Sequence, residues 1–260
     1  MRATIGQYYP GVSIVHRLDA RAKLVGVSAL AIAMFARDSF SGLAVIAVAA
    51  AAIFAASGVP VLWFWRAFRP LLWLVGLTFL AQMLFASGEP IVSLGFIRVT
   101  RQGIETAAFL SLRLVVLVLV GCVLTLTTAP MALTDGLVWL GAPLRRLKVP
   151  THELALIVTI ALRFIPTLLA EVDTIMRAQR ARGVDFRAGG LIRRVRALQT
   201  VLIPLFVVSF RRADELALAM EARCYRPGVL RTRLHPLKAG WSDAVFLVAV
   251  TVVIVAGLLL

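Results

Sequence analysis

Long apolar runs separated by short polar breaks restrict the fold of this chain more than any other feature. They occupy residues 24–36, 40–56, 71–86, 104–128 and 244–260. A helix needs roughly 20 mainly apolar residues to cross a bilayer. The chain is 60% hydrophobic and only 16% charged, whereas a soluble domain carries about 25% charged residues. The sequence therefore predicts an all-α, polytopic membrane protein with about five transmembrane helices.

The pattern changes after residue 128, because arginines there alternate with apolar residues at helical spacing. Long amphipathic helices are predicted over residues 152–182 and 191–224. The chain is accordingly divided into three parts. These are an N-terminal segment with transmembrane helices (1–128), a cytoplasmic-side region of amphipathic helices (129–240) and a C-terminal transmembrane helix (241–260).

The distribution of basic residues predicts the orientation in the membrane. The formal net charge is +15, and Lys and Arg cluster before the first span, between the second and third spans, and throughout 129–240. The loops at 37–39 and 87–103 are nearly balanced in charge. Cytoplasmic loops are enriched in Lys and Arg, so the N-terminus and 129–240 are predicted to be cytoplasmic. Membrane orientation therefore explains the net positive charge. Binding of nucleic acid is not needed to explain it, and the sequence contains no known nucleic-acid-binding motif.

A weak internal repeat lies within the basic region. Each copy has an apolar half containing a proline, then a polar half that ends in a similar triplet: Ala181, Arg182, Gly183 and Ala222, Arg223, Cys224. The small alanine permits close approach, and arginine offers a rigid fork of donors to a carboxylate or a backbone carbonyl. Two such helix ends side by side would fit grooves on a soluble partner. Alternatively, each arginine merely complements the helix macrodipole.

The third residue differs between the two triplets. Gly183 suits the left-handed position that follows a helix, whereas a side chain at Cys224 costs steric energy there. The sequence therefore predicts that the second helix continues past Arg223 toward Arg226 and ends before Pro227.

Several motifs together resemble the transmembrane T component of energy-coupling factor (ECF) transporters. The opening segments Gly6–Ser13 and His16–Leu24 are similar to the start of that family, in which Ala20 is usually proline. Residues 163–166 with 178–183 resemble its first signature. In the second signature, Cys224 replaces the usual glycine.

The resemblance implies a multi-pass subunit of a prokaryotic plasma membrane, with no catalysis and no cofactor of its own. Family members join a substrate-binding membrane S component to two cytoplasmic ATPase subunits and import a vitamin or metal ion. The helices ending near residues 182 and 223 would be coupling helices, with Arg182 and Arg223 each docking into one ATPase. Both triplets would belong to these coupling sites.

Two other functions are alternatives for this sequence. A membrane-embedded lipid-modifying enzyme would need clustered acids, and Glu153, Glu171 and Asp173 are the nearest candidates, although Asp173 suits an ion pair with Arg177. The permease of another ABC-type importer, or a channel, is the second alternative. The sequence contains no phosphate-binding Gly-x-x-x-x-Gly-Lys-Ser/Thr loop, which argues against an ATPase.

Overall fold

The computed structural model describes residues 8–85, 90–94, 97–143, 151–186, 190–226 and 240–260. Within these ranges the chain is almost entirely helical. The helices are α1 (Ile14–Arg17), α2 (Ala20–Ala36), α3 (Phe40–Ala56), α4 (Val61–Phe85), α5 (Arg101–Thr127), α6 (Pro130–Leu140), α7 (Thr151–Ala181), α8 (Leu191–Ala222) and α9 (Trp241–Leu259). The prediction of an all-α polytopic fold is confirmed.

Each of the five predicted spans corresponds to a helix, namely α2, α3, α4, α5 and α9, although α4 begins at Val61, ten residues before the span predicted at 71–86. By length and composition, four described segments could cross a membrane: Phe68–Phe85, Arg101–Thr127, Glu153–Ala181 and Trp241–Leu259. Helix α3 is apolar but shorter, at 17 residues. Because α7 meets the same criterion, its apolar half can enter the bilayer. The cytoplasmic placement of 129–240 stays a prediction.

One predicted loop contains regular structure. Between α4 and α5, strand β1 (Pro90–Leu94) pairs antiparallel with β2 (Ile97–Thr100), and Val92 lies opposite Val99. This short hairpin was not predicted, because the segment was interpreted as a polar loop. Its β-branched residues favour a strand over a loop.

The polar breaks between apolar runs supply the caps that start the helices. Asp19 accepts a hydrogen bond from Arg21 N at 2.8 Å and begins α2, and Ser39 accepts one from Gly42 N at 3.3 Å and begins α3. Thr100 accepts from Gly103 N at 3.0 Å at the start of α5. These side chains satisfy amides that have no partner within the helix.

The chain forms two packed units. One contains α1 to α6 together with α9, and the other contains α7 and α8. The predicted division at residues 128 and 240 concerned the side of the membrane and stays a prediction. The core of the first unit is formed by apolar side chains of four helices: Leu30 and Met34 of α2, Leu43, Ile46 and Ala50 of α3, Phe109, Val116 and Val120 of α5, and Val250 of α9.

Polar contacts define the two ends of the first unit. At the Asp19 end, Asp19 N donates to Asp243 Oδ1 at 2.8 Å, so α2 and α9 begin together. At the Asp38 end, Arg37 Nη1 donates to Leu258 O and Ser41 Oγ donates to Leu260 O at 2.8 Å. Helices α2 and α9 therefore run in the same direction.

Helix α5 runs opposite to α2. The buried Lys23 Nζ donates to Thr127 O at 3.0 Å near the Asp19 end. Near the other end, the buried Arg113 pairs with Asp38 through Nη2 and Oδ1 at 2.5 Å and lies 4.5 Å from the Phe109 ring centroid. Each cation thus has an oxygen partner, which lowers the cost of a charge in hydrocarbon, although Arg113 Nε is buried without a hydrogen-bond partner in the described residues.

Candidate functional site at the ends of α7 and α8

Helices α7 and α8 form an antiparallel hairpin, which sets the positions of the two Ala-Arg triplets. Gln179 Nε2 donates to Thr200 O at 3.3 Å, and Arg212 Nη2 pairs with Glu171 Oε2 at 3.1 Å. The two helices therefore run in opposite directions, so that later residues of α7 lie beside earlier residues of α8. Neither contact could be predicted from the sequence, because each depends on the register of two helices and joins residues that are far apart in the chain.

The antiparallel register separates the two predicted site arginines. Extending the Gln179–Thr200 and Glu171–Arg212 pairings places Arg182 opposite the first third of α8, whereas Arg223 follows the last residue of that helix. At 1.5 Å per residue, the two lie roughly 35 Å apart along the helix axis. The interpretation that the two helix ends stand side by side is wrong, since the hairpin places them at opposite ends.

The first triplet forms a Schellman motif, the six-residue hydrogen-bonded turn that often closes a helix. Val184 N donates to Gln179 O at 3.0 Å, and Gly183 N donates to Arg180 O at 2.9 Å. Gly183 has φ 88°. Its predicted left-handed conformation is confirmed, and Arg182 is the half-helical residue between the helix and the turn.

The second triplet closes in the same way. Tyr225 N donates to Met220 O at 2.9 Å, Cys224 N donates to Glu221 O at 2.8 Å, and Cys224 has φ 56°. Helix α8 ends at Ala222. The predicted extension toward Arg226 is wrong, because the two turn bonds satisfy carbonyls that the helix end would otherwise leave open. In addition, Arg226 precedes a proline, which disfavours the helical conformation there.

Both site arginines reach solvent. Arg182 and Arg223 are exposed, as are Ala181 and Ala222. Within the described residues neither guanidinium makes a hydrogen bond or an ion pair. By contrast, Arg177 Nη2 donates to Thr174 Oγ1 at 3.2 Å. Each free guanidinium keeps its full fork of donors for a partner molecule.

The acids weighed for an enzyme do not form a cluster. Glu171 is engaged by Arg212, and no group of three His, Cys, Asp or Glu able to hold a metal occurs in the described part of the chain. The predicted ion pair of Asp173 with Arg177 is also absent among these residues, since Arg177 donates to Thr174 instead. Exposed ion pairs of this kind stabilise a helix by only about 0.3–0.5 kcal/mol, so a neighbouring hydroxyl can replace them.

The unequal third residues of the triplets lead to a prediction about stability. A left-handed residue with a side chain costs about 1–2 kcal/mol, and glycine loses about 0.5–1 kcal/mol more backbone entropy on folding. We expect C224G to stabilise the end of α8 by up to about 1 kcal/mol and G183A to destabilise the end of α7 by a similar amount. Hydrogen exchange of the amides at 183–184 and 224–225 measures both changes. Faster exchange in C224G would contradict this explanation.

Comparison with known proteins identifies the family of this chain. Residues 11–235 match a family model described as cobalt transport protein, CbiQ. Curated relatives named energy-coupling factor transporter transmembrane protein EcfT cover nearly the whole chain. That of Thermosediminibacter oceani is 46% identical over 95% of this chain and 93% of its own length. That of Thermanaerovibrio acidaminovorans is 48% identical over 99% and 96%, and that of Bacillus subtilis is 43% identical over 98% and 96%.

The chain belongs to the EcfT family. Both triplets lie inside the matched range, and the coverage shows that the EcfT likeness extends over the membrane helices as well as the α7–α8 hairpin. The predicted membership of the ECF T components is confirmed, and with it the role of a membrane-embedded transporter component. Neither alternative, the lipid-modifying enzyme or the permease of another importer, is favoured.

Proposed function

We propose that this EcfT-family chain is the coupling subunit of an ATP-driven importer, with no catalytic activity of its own. It would join two cytoplasmic ATPase subunits to a substrate-binding S component in the membrane, which imports a vitamin or a metal ion. One observation carries the proposal: α7 and α8 end in the same hydrogen-bonded turn, and each turn presents an exposed arginine that has no partner among the described residues.

The separation of these ends favours two docking events. Arg182 and Arg223 are roughly 35 Å apart along the hairpin, which suits two separate protein surfaces better than one groove. The Schellman turns fix the backbone at each arginine, so less conformational entropy is lost on docking. Alanine before each arginine lets a partner approach the helix end.

The hairpin is built to transmit a displacement. The Glu171–Arg212 ion pair joins the helices away from both triplets, and the Gln179–Thr200 hydrogen bond joins them beside the first triplet. When ATP binding changes the spacing of the two ATPases, each docked end would move with its ATPase. The helices would then shift as rigid rods, and that motion would be passed to the S component.

Apolar surface on the same hairpin supports a membrane partner. Large apolar side chains of α7 and α8 are exposed in the isolated chain: Leu154, Ile157, Val158, Leu202, Ile203, Phe206, Val207 and Phe210. Exposed apolar side chains in such numbers mark a protein or lipid contact. We assign it to the bilayer and the S component.

The proposed orientation has the N-terminus and both triplets in the cytoplasm, and it can be tested by labelling. In a background carrying C122A and C224G, we expect Q102C to react with a membrane-impermeant maleimide in intact cells. R193C should react only after the membrane is opened. Both positions are exposed, so access depends on the side of the membrane. Labelling of R193C in intact cells would overturn the orientation.

Co-purification tests the proposed function. The tagged full chain, expressed with the other subunits of its transporter, should be isolated with two ATPase chains and one further membrane protein, as counted by native mass spectrometry. A chain that is purified alone, or with a single ATPase chain, would contradict the coupling role. Turnover of a lipid substrate by the purified chain would instead support an enzyme.

A further inference from the structure

A groove at the Asp19 end of the first unit combines an arginine with apolar walls. Helices α2, α6 and α9 enclose about 250 Å³ there. The Arg21 guanidinium lies 5.2 Å from the centroid of the Trp139 ring, and Arg21 Nε is buried without a hydrogen-bond partner in the described part of the chain. A buried donor left without an acceptor costs free energy, which points to an acceptor supplied from outside the chain.

The nearby acids do not supply that acceptor. Asp243 accepts from Asp19 N at 2.8 Å and from Gly240 N at 2.7 Å, one bond to each carboxylate oxygen. Asp19 Oδ1 accepts from Arg21 N at 2.8 Å. Both carboxylates thereby offset the positive ends of α2 and α9. The Arg21 side chain makes no ion pair among the described residues, so its charge stays available to an anion.

The remaining walls suit hydrocarbon. Val25 lines the groove from α2, and Ala244 and Leu247 line it from α9. Helix α9 is long and apolar enough to cross a membrane. Exposed Trp139 and Trp241 lie at the same end, and indole rings favour the headgroup level of a bilayer. The groove thus passes from a cation at headgroup depth to apolar surface.

We propose that this groove is a binding site for an anionic phospholipid. The Arg21 guanidinium binds the phosphate, and the glycerol backbone and first acyl carbons lie along Val25 and Leu247. Basic pockets between membrane helices recognise anionic headgroups in this way. The positive charge of a choline headgroup would add little binding energy, because both nearby carboxylates already accept hydrogen bonds from backbone amides.

Native mass spectrometry of the full chain released from detergent micelles tests the site, with phosphatidylglycerol as the probe. We expect R21Q to lower the fraction of phosphatidylglycerol-bound protein about tenfold, since one charge-assisted hydrogen bond accounts for at least that factor. R66Q is the matched control, because Arg66 also stacks on a tryptophan, 5.6 Å from the Trp63 centroid. Equal loss in both variants would overturn the site.

A second variant keeps the test independent of the arginine. A244W fills the groove from an exposed position and leaves Arg21 in place, so it should lower phosphatidylglycerol binding to a similar degree. Wild-type protein should retain phosphatidylglycerol over phosphatidylcholine, and glycerol 3-phosphate should not compete. Unchanged binding in A244W, equal retention of both lipids, or competition by glycerol 3-phosphate would each contradict a lipid site.

Discussion

The double variant R182E/R223E is expected to remove the ATPase subunits from the purified transporter and to abolish ATP-driven uptake. Reversing either charge replaces a donor fork with an acceptor at the proposed docking contact. Loss of one partner of a buried charge pair costs about 2–5 kcal/mol, which weakens binding roughly 30-fold to several thousand-fold at each end. Membrane insertion and retention of the S component should be unchanged. Co-purification and vesicle uptake assays measure these effects.

Matched controls separate docking from net charge. Arg177 and Arg193 are also exposed arginines of α7 and α8, and neither lies in a triplet, so R177E/R193E should assemble and transport normally. R182K and R223K should be impaired to an intermediate degree, because a point charge does not reproduce a bidentate fork. Equal damage from R177E/R193E would show that the hairpin is merely a basic surface.

The variant G42A is expected to separate α3 from α9 and to destabilise the first unit. A β-carbon at Gly42 would lie 2.3 Å from Gly257 O, a backbone atom that cannot move independently of its helix. Overpacking of this kind costs about 1–3 kcal/mol. G257A should be milder, because its β-carbon would lie 3.3 Å from Gly42 O. Thermal unfolding in detergent, followed by tryptophan fluorescence, measures the stability of each variant, and we expect G42A to be less stable than G257A.

The control for this prediction is the same substitution in an open position. Nothing lies within 4 Å of a β-carbon added at Gly121 in α5. G121A should therefore leave stability unchanged or raise it by up to about 1 kcal/mol, because alanine favours a helix more than glycine does. A G42A protein as stable as G121A would contradict the close crossing of α3 and α9.

The sequence was sufficient to predict the helices of this fold but not their pairing. Apolar runs are local signals, and the helices begin and end close to them, except that α4 begins ten residues before its run at 71–86. The register of α7 against α8 depends on contacts such as Glu171 with Arg212, which are remote in sequence. Without this register, the relative position of the two triplets could not be predicted.

The error at Cys224 has a related cause. The steric preference of one residue predicted a longer helix, whereas two backbone hydrogen bonds and the following proline outweigh that preference. Local sequence signals also could not predict the partners of Lys23 and Arg113. They are the end of α5 and the turn after α2, respectively, which only the packed unit brings close.

Photo-crosslinking from the two triplets tests the central proposal most directly. A benzoylphenylalanine placed at Arg182 or at Arg223 in the assembled transporter should crosslink to an ATPase subunit. The two positions should label different ATPase copies, so that a variant carrying both crosslinkers joins two copies to one chain. The same group at the exposed Gln102, on the opposite side of the membrane in the proposed orientation, should give no ATPase adduct. Absence of ATPase adducts from positions 182 and 223, or equal adducts from 102, would contradict the proposed coupling role.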